Sequence, residues 1–209
     1  MKRLHLNRIE QLLKEDLPGW DAQRQLSPIA TREYLGSRKD ARLAGVNLLL
    51  YPDDQDELKM LFIKRPNNNP NDKHGGQISF PGGQMESQDE NLIQTALRET
   101  EEEVGVPSSH MKVLGTLSPL YVFVSNFKVQ PIVSYIDSVP ELQLQKSEVD
   151  YVLSENLKYF TEASAVHRTD FKVRDIIMKD MPYYNLQNHI LWGATAMITA
   201  EFVEIIKAI

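Results

Sequence analysis

The chain has no cysteine among its 209 residues. This absence excludes a disulfide scaffold, a thiolate zinc site and a cysteine nucleophile. It fits a reducing compartment, and the first residues lack the apolar core of a signal peptide, so the cytoplasm is the expected location. Hydrophobic residues make up 42% and charged residues 25% of the chain, which is typical of a globular protein with a real core.

An excess of positive charge is also missing. Lys and Arg total 23 against 29 Asp and Glu, which gives a net charge of −6. A protein that coats nucleic acid needs clustered positive charge to neutralise phosphates, so nucleic acid is not an expected partner. An acidic chain can still bind a phosphate-bearing substrate when a metal ion lies between the two.

No apolar run is long enough to predict a membrane span. The most apolar stretch, residues 190–209, is interrupted by Glu201, Glu204 and Lys207, and charges near the centre of a bilayer are costly. The stretch therefore predicts an amphipathic helix packed on the domain, and no membrane partner is expected. The apolar character of this helix also suggests a homodimer.

Helix and strand patterns alternate along the chain, which predicts an α/β or α+β layered domain. Helices are expected at residues 4–16, 90–104 and 191–207. Residues 20–40 are expected to be extended or loop, and the Asn-rich residues 66–76 a loop. Strands are predicted at residues 42–51, 59–64, 112–116, 127–135, 150–153 and 182–186, with a short extended piece at 77–80 and a weaker segment at 171–178. The first two strands are expected to form a hairpin.

Familiar catalytic motifs are missing, and the chemistry is carried by helix 90–104. The sequence has no P-loop, no zincin motif, no hydrolase elbow, no EF-hand and no dinucleotide-binding glycine motif after a strand. At about 100° per residue, Glu99, Glu102 and Glu103 lie within about 100° of one another on the predicted helix. The face expected to pack on the core carries Ile93, Leu97, Thr100 and Val104.

Three crowded carboxylates repel one another, and a divalent cation would offset that repulsion. Mg²⁺ and Mn²⁺ prefer several hard oxygen ligands, which glutamates one helical turn apart can supply. The turn Gly82-Gly83 lies just upstream, where glycines let the backbone approach a ligand closely and free a carbonyl for a metal. The acid run taken alone is more typical of a solvated helix face than of a metal site, and it is the glycine turn that favours a metal site.

The stretch from Gly83 to Val106 resembles the signature of the Nudix hydrolases. That signature is Gly, five residues, Glu, seven residues, then Arg-Glu-aliphatic-any-Glu-Glu-any-Gly-aliphatic. Residues 98–106 match its second half, with Thr100 at the aliphatic position, and Glu90 stands eight residues before Arg98. Six residues, not five, separate Gly83 from Glu90.

The resemblance implies a fold and a reaction. The fold is a Nudix-like α/β/α sandwich with a mixed β-sheet between helices, over residues 41–209, with residues 1–40 as an N-terminal helix and extension packed on it. The reaction is hydrolysis of a pyrophosphate bond in a nucleoside diphosphate derivative, with Mg²⁺ or Mn²⁺ as cofactor.

An upstream motif is similar to the branch of the family that hydrolyses coenzyme A. That motif is an aliphatic strand ending in Arg, a basic loop, and Gly, three residues, Phe-Pro-Gly-Gly. Residues 61–65 and 76–83 fit it, although the loop between them is two residues longer and places Asp72, followed by Lys73, where a basic residue is expected. The implied products are 3′,5′-ADP and 4′-phosphopantetheine, or the acylated form of the latter.

The resemblance also implies roles for residues of the acidic helix. Glu99 and Glu103 are expected to be the principal metal ligands, and Glu102 a third ligand or the general base. The backbone carbonyl of Gly83 is expected to join the metal. Arg98 is expected to orient a glutamate through a charge-assisted hydrogen bond.

Residues outside this helix have supporting roles or roles left open. Arg65 and Lys73 are candidates to hold substrate phosphates, because guanidinium and ammonium groups bind phosphate oxygens. Glu90 is expected to steady the loop before the helix or to be purely structural. The sequence leaves open whether Glu148 is a further metal ligand and whether His74 touches substrate.

Three functions remain compatible with the sequence. The first is hydrolysis of coenzyme A or acyl-coenzyme A. The second keeps the same signature but acts on ADP-ribose, NADH or another nucleoside diphosphate derivative, because the residues that select the substrate lie outside the signature. The third is a non-catalytic, ligand-binding regulator, against which the intact set of glutamates argues.

Overall fold

A computed structural model describes residues 2–28, 37–68, 74–173 and 176–209. Its centre is an eight-stranded sheet of β1 Arg42–Pro52, β2 Leu58–Lys64, β3 Ile78–Ser79, β4 Gly82–Gln84, β5 Lys112–Thr116, β6 Leu120–Val122, β7 Phe127–Tyr135 and β8 Tyr151–Asn156. A second sheet contains β9 Val166–Val173, β10 Ile176–Leu186 and β11 His189–Leu191. The helices are α1 Lys2–Leu12, α2 Gly19–Gln23, α3 Leu92–Val104, α4 Leu157–Thr161 and α5 Gly193–Ile206.

The central sheet is mixed. Strand β1 runs parallel to β7 and antiparallel to β2 and β4. The predicted hairpin of β1 and β2 is confirmed, with Leu50 opposite Met60. Strands β8 and β3 pair with β2, and β5 and β6 pair with β7.

Helices cover both faces of this sheet because β1 and β2 bury alternate side chains on opposite sides. Leu49 lies in a core cluster with Val104 of α3. Its neighbour Leu48 lies in the larger cluster on the other face, together with Ile9 of α1 and Phe202 of α5. The expected α/β/α sandwich with a mixed sheet between helices is thus confirmed.

Residues 20–40 were predicted to be extended or loop, and this prediction is wrong for residues 20–26, which are helical. Helix α2 and a 3-10 turn at Arg24–Leu26 occupy this stretch, and residues 29–36 lie outside the described part. The cause is a long-range contact, because the buried carboxylate of Glu201 on α5 accepts hydrogen bonds from the backbone N–H of Gly19 at 3.2 Å and of Ser118 at 3.0 Å. It also accepts one from the side chain of Gln23 at 2.7 Å.

The strand predicted near residues 182–186 is confirmed as strand, but its bounds are wrong, because it is the end of the longer β10. The weaker segment predicted at 171–178 falls partly on β9 and partly on β10, two antiparallel strands whose register shifts between Met178 and Met181. Asp180 at this bulge has a positive φ of 53°. A bulge interrupts the alternation that marks a strand in a sequence, which explains why the predicted bounds are wrong.

Helix α5 begins and ends close to the predicted positions and buries most of its apolar side chains inside the chain. The apolar surface that suggested a homodimer therefore packs within the same molecule, and the homodimer stays a prediction. Within the described ranges, the helices are too short or too polar to cross a membrane. The predicted boundary at residue 40, between the N-terminal extension and the Nudix-like domain, also stays a prediction.

Candidate active site

Helix α3 carries the predicted acidic residues. The side chain of Asn91 accepts a hydrogen bond from the backbone N–H of Gln94 at 3.0 Å and caps the helix start. The helix ends at Val104, before Gly105 as predicted. Its buried face contains Thr95, Ala96, Thr100, Glu103 and Val104, whereas Ile93, which we expected on this face, is only half-buried.

Three carboxylates converge beside this helix. Glu99, Glu103 and Glu148 each place a carboxylate oxygen within 4.8 Å of the others, a spacing that could hold one metal ion. Glu148, which the sequence left open, comes from the turn before β8, where its backbone N–H donates to the carbonyl of Gln145 at 2.9 Å. The chain separation from the helix explains why local sequence spacing could not assign it.

The Gly82-Gly83 turn closes the site from the side of the sheet. The backbone N–H of Gly82 donates to Oε2 of Glu103 at 2.9 Å. A Cβ atom on Gly82 would lie 2.4 Å from the carbonyl oxygen of Gly45, and one on Gly83 would lie 2.5 Å from Cδ of Glu99. Both positions therefore require glycine for the turn to approach β1 and the acids so closely.

Glu103 is the most buried acid of the cluster, with a side chain only 1% exposed. Its pKa is raised to about 8, chiefly by burial and also by the negative charges of Glu99 and Glu148, while the N–H of Gly82 and the charge of Arg65 act in the opposite direction. Burial also raises the pKa of Glu99. A site that crowds and buries carboxylates in this way favours a bound cation.

Arg98 links the acids of α3 to the preceding loop. Its Nε and Nη2 each donate to a different oxygen of Asp89 at 2.9 Å. Its Nη1 lies 3.0 Å from Oε1 of Glu99 and 2.9 Å from Oε2 of Glu102. Arg98 thus contacts both Glu99 and Glu102, and its role in orienting a glutamate stays a prediction.

Glu102 lies apart from the three converging acids. Its side chain is 57% exposed and forms an ion pair with Arg98. The structure therefore brings Glu99 and Glu103 together with Glu148, and leaves Glu102 at the rim. Its role as a ligand or base stays a prediction.

Asp89 is the functional residue that the sequence analysis missed. Besides Arg98, its carboxylate accepts hydrogen bonds from the backbone N–H of Glu86 at 2.9 Å and from Oγ1 of Thr95 at 3.0 Å. The hydrogen bonds from Arg98 hold the pKa of Asp89 well below its usual range. Glu90, expected to steady this loop, is exposed and uses its backbone N–H to donate to Gln94.

A signal for Asp89 was present in the sequence. Five residues separate Gly83 from Asp89, which is the spacing that the signature requires, with Asp in place of Glu. The additional residue therefore falls between Asp89 and Arg98 rather than before the acid.

The remaining predicted residues lie along one edge of the site or outside the described part. Nη1 of Arg65 lies 3.9 Å from Oε1 of Glu103. His74 lies on the segment before β3, with Nδ1 3.4 Å from the side-chain oxygen of Gln77. Lys73 is outside the described residues.

Comparison with known proteins identifies the family. Residues 41–176, more than half of the chain, match the NUDIX domain. The chain belongs to the Nudix family. This is the family whose signature residues 98–106 resemble.

Curated relatives carry the same family name. The chain is 34% identical over 131 residues to the uncharacterized Nudix hydrolase NudL of Photorhabdus laumondii. The matched region covers 63% of this chain and 69% of that protein. It is also 37% identical over 132 residues to NudL of Yersinia pestis. That matched region covers 63% of this chain and 65% of that protein. The Nudix chain thus spans about two thirds of the length of these relatives.

Solved structures of Nudix proteins are similar at lower identity. The NUDIX domain of Shewanella oneidensis NrtR, determined with ADP-ribose, is 25% identical with a TM-score of 0.44, covering 62% of this chain and 80% of that one. The MutT protein of Methanosarcina mazei is 17% identical with a TM-score of 0.49, covering 82% and 97%.

Proposed function

We propose that this Nudix protein hydrolyses a pyrophosphate bond in a nucleoside diphosphate derivative with a divalent metal ion held by Glu99, Glu103 and Glu148. The observation that carries the proposal is the convergence of these three carboxylates within 4.8 Å. Clustering alone is common on protein surfaces, but here one of the acids is buried beneath a glycine turn. With all three carboxylates ionised, that arrangement is unfavourable unless a cation binds.

The residues present fit Mg²⁺ or Mn²⁺. Both ions prefer carboxylate and carbonyl oxygens, and the cluster offers only such donors. The close approach of Gly83 to Glu99 leaves room for a backbone carbonyl but not for a side chain. A bound ion would screen phosphate charge, orient the diphosphate and lower the pKa of a bound water.

The protein's own groups prepare this site before substrate arrives. Arg98, anchored by Asp89, holds Glu99 in place through a charge-assisted contact of 3.0 Å. The N–H of Gly82 holds Glu103. Glu102 is exposed at the rim, where a carboxylate can accept a proton from an attacking water, and we assign it as the first candidate for the general base.

Arg65 is the candidate phosphate-binding group. Its guanidinium lies beside Glu103 at the edge of the acid cluster and is partly exposed. A planar guanidinium can donate two parallel hydrogen bonds to phosphate oxygens. We therefore assign Arg65 to the diphosphate of the substrate.

Coenzyme A or its acyl derivatives are the proposed substrates. Support comes from residues 61–65 and 76–83, whose sequence is similar to the coenzyme A branch and which place Arg65 and Gly82 beside Glu103. ADP-ribose and NADH would present the same diphosphate to the same glutamates. The choice between these substrates is therefore a matter for direct assay.

The experiment is a substrate panel of coenzyme A, acetyl-coenzyme A, ADP-ribose, NADH and diadenosine polyphosphates, each with Mg²⁺ and with Mn²⁺. We expect turnover of coenzyme A to 3′,5′-ADP and 4′-phosphopantetheine, identified by mass spectrometry. Preferred turnover of ADP-ribose would change the proposed substrate to ADP-ribose and leave the proposed reaction, pyrophosphate hydrolysis, unchanged. Absence of metal-dependent turnover across the panel would contradict the proposal and favour a binding role.

A further inference from the structure

Asn47 contacts both helix α3, which carries the acids, and the segment that leads into the glycine turn. It sits in the middle of β1 and is 0% exposed. Its backbone N–H donates to the carbonyl of Pro81 at 2.8 Å, directly before the glycine turn. Its side-chain Nδ2 donates to Oγ1 of Thr100 on α3 at 3.0 Å, and its Oδ1 accepts from Oγ of Ser134 on β7 at 2.7 Å.

Thr100 completes this network on the helix. It is 0% exposed and stands between Glu99 and Glu103 in the sequence. Its hydroxyl donates to the carbonyl of Ala96 at 2.7 Å while accepting from Asn47. An aliphatic side chain, which the family signature carries here, would fill similar space without any polar group to satisfy.

Polar groups at fully buried positions are costly unless every one is hydrogen-bonded, so this network needs a reason beyond packing. Apolar packing is non-directional, whereas hydrogen bonds fix a direction and a distance. Asn47 bonds the helix through its side chain and the glycine turn through its backbone. It therefore sets the rotation of α3 relative to the turn whose N–H binds Glu103.

We propose that Asn47, acting through Thr100 and supported by Ser134, is a positioning residue for the metal site. It holds α3 in the one rotation at which Glu99 and Glu103 meet Glu148 beside the glycine turn. Asn47 touches neither metal nor substrate. The inference rests on the proposed function, because it assumes that the three acids bind one divalent ion.

The first test compares Thr100→Val with a matched control. Thr199 on α5 is also 0% exposed, and its Oγ1 also donates to the carbonyl four residues earlier, that of Thr195, at 2.9 Å. Mn²⁺ binding is measured directly by electron paramagnetic resonance, without substrate. We expect Thr100→Val to weaken Mn²⁺ binding about 10-fold, as loss of groups that orient metal ligands does. Thr199→Val should keep the wild-type Mn²⁺ affinity, and Thr100→Ser, which retains the hydroxyl, should restore it.

The second test separates positioning from stability. The combined variant Asn47→Leu, Thr100→Val and Ser134→Ala removes the three hydrogen-bonding side chains together. It leaves unpaired only Sδ of Met111, a weak acceptor 3.3 Å from Nδ2 of Asn47 in the wild type, so the fold is expected to survive. We expect this variant to unfold near the wild-type temperature in EDTA and still to bind Mn²⁺ weakly. Wild-type Mn²⁺ affinity in a folded Thr100→Val or combined variant would overturn the inference.

Failure of the inference can be told apart from failure of the proposed function. A wild-type protein that binds Mn²⁺ and hydrolyses a diphosphate, with Thr100→Val behaving identically, would remove only the positioning role. A wild-type protein that binds no Mn²⁺ would remove the proposed function and the inference with it. A combined variant that is unfolded in EDTA while Thr199→Val is folded would assign the network to stability alone and also overturn the inference.

Discussion

The Asp89 carboxylate and the Arg98 guanidinium form a two-pronged ion pair, with both N···O distances at 2.9 Å. This pair ties the loop before α3 to the helix that carries the acids. It also leaves Nη1 of Arg98 directed at Glu99. The orientation of a glutamate of the converging cluster therefore depends on an aspartate that the acidic run does not contain.

Replacing Asp89 with Asn should destabilise the protein. The Asp89 side chain is 1% exposed and that of Arg98 17%, and breaking a buried ion pair of this kind costs about 3 kcal/mol. Urea unfolding checks this value. Glu90→Gln, which removes an exposed acid at the next position, serves as the control and should change stability little; equal losses in both variants would contradict the assignment to Asp89.

The same pair predicts a pH dependence. Arg98 lowers the folded-state pKa of Asp89 below its ordinary value of 3.8, so its stabilisation is present above that pH and is lost as the pH falls toward the lowered pKa. The difference in unfolding free energy between wild type and Asp89→Asn should be constant from pH 5 to 8, and should shrink below about pH 4. A difference that grows in acid would contradict this account.

Glu103→Gln should stabilise the metal-free protein at alkaline pH. Burial raises the pKa of Glu103 from 4.5 to about 8, so the folded state holds a proton that the unfolded state releases, and stability contributed by this group falls as the pH rises between those values. In EDTA at pH 8, Glu103→Gln should therefore unfold at a higher temperature than wild type. Added Mg²⁺ should raise the melting temperature of wild type only, and an equal rise in the variant would count against Glu103 as a ligand.

Glu148→Gln and Glu102→Gln should differ in metal binding. Glu148 belongs to the converging cluster, whereas Glu102 lies at the exposed rim. We expect Glu148→Gln to weaken Mn²⁺ binding more than Glu102→Gln does, by about 10-fold if one carboxylate ligand is lost. Isothermal titration with Mn²⁺ measures both, and the reverse order would restore Glu102 as the third ligand.

Gly83→Ala should impair activity by displacing Glu99. The added Cβ would lie 2.5 Å from the Glu99 carboxyl carbon, so the carboxylate must move. We expect a loss of metal-dependent turnover of at least about 10-fold, which corresponds to about 1.4 kcal/mol. Gln84→Ala, at the next and exposed position, should retain activity; wild-type kinetics in Gly83→Ala would contradict the close approach of the turn.

Elements with strong local signals were predictable from the sequence. The strands Lys112–Thr116 and Phe127–Tyr135 have the bounds expected from their apolar patterns, and α3 ends just before Gly105. Elements fixed by distant contacts were not predictable. Helix α2 depends on the buried carboxylate of Glu201 on the last helix, and the strands β9 and β10 depend on a bulge.

The residues of the candidate site also separate into those predictable from the local sequence and those placed by distant contacts. Glu99, Glu103 and the glycine turn could be found from spacing, because one helix and one turn place them. Glu148 reaches the cluster through long-range contacts, which are the pairing of β8 with β2 and the hydrogen bond from the N–H of Gln145 to the carbonyl of Glu103. Asn47 and Ser134 are buried polar residues in strands whose sequence shows only apolar patterning around them. The hydrogen bonds of Asn47 with Ser134 and with Thr100 of α3 exist only in the folded protein.

Anomalous diffraction at the manganese absorption edge, from crystals soaked in Mn²⁺, tests the central claim most directly. The account predicts an anomalous peak between the carboxylates of Glu99, Glu103 and Glu148, beside the carbonyl of Gly83, and loss of that peak in crystals of Glu103→Gln. A wild-type map without a peak between these three carboxylates at saturating Mn²⁺ would contradict it.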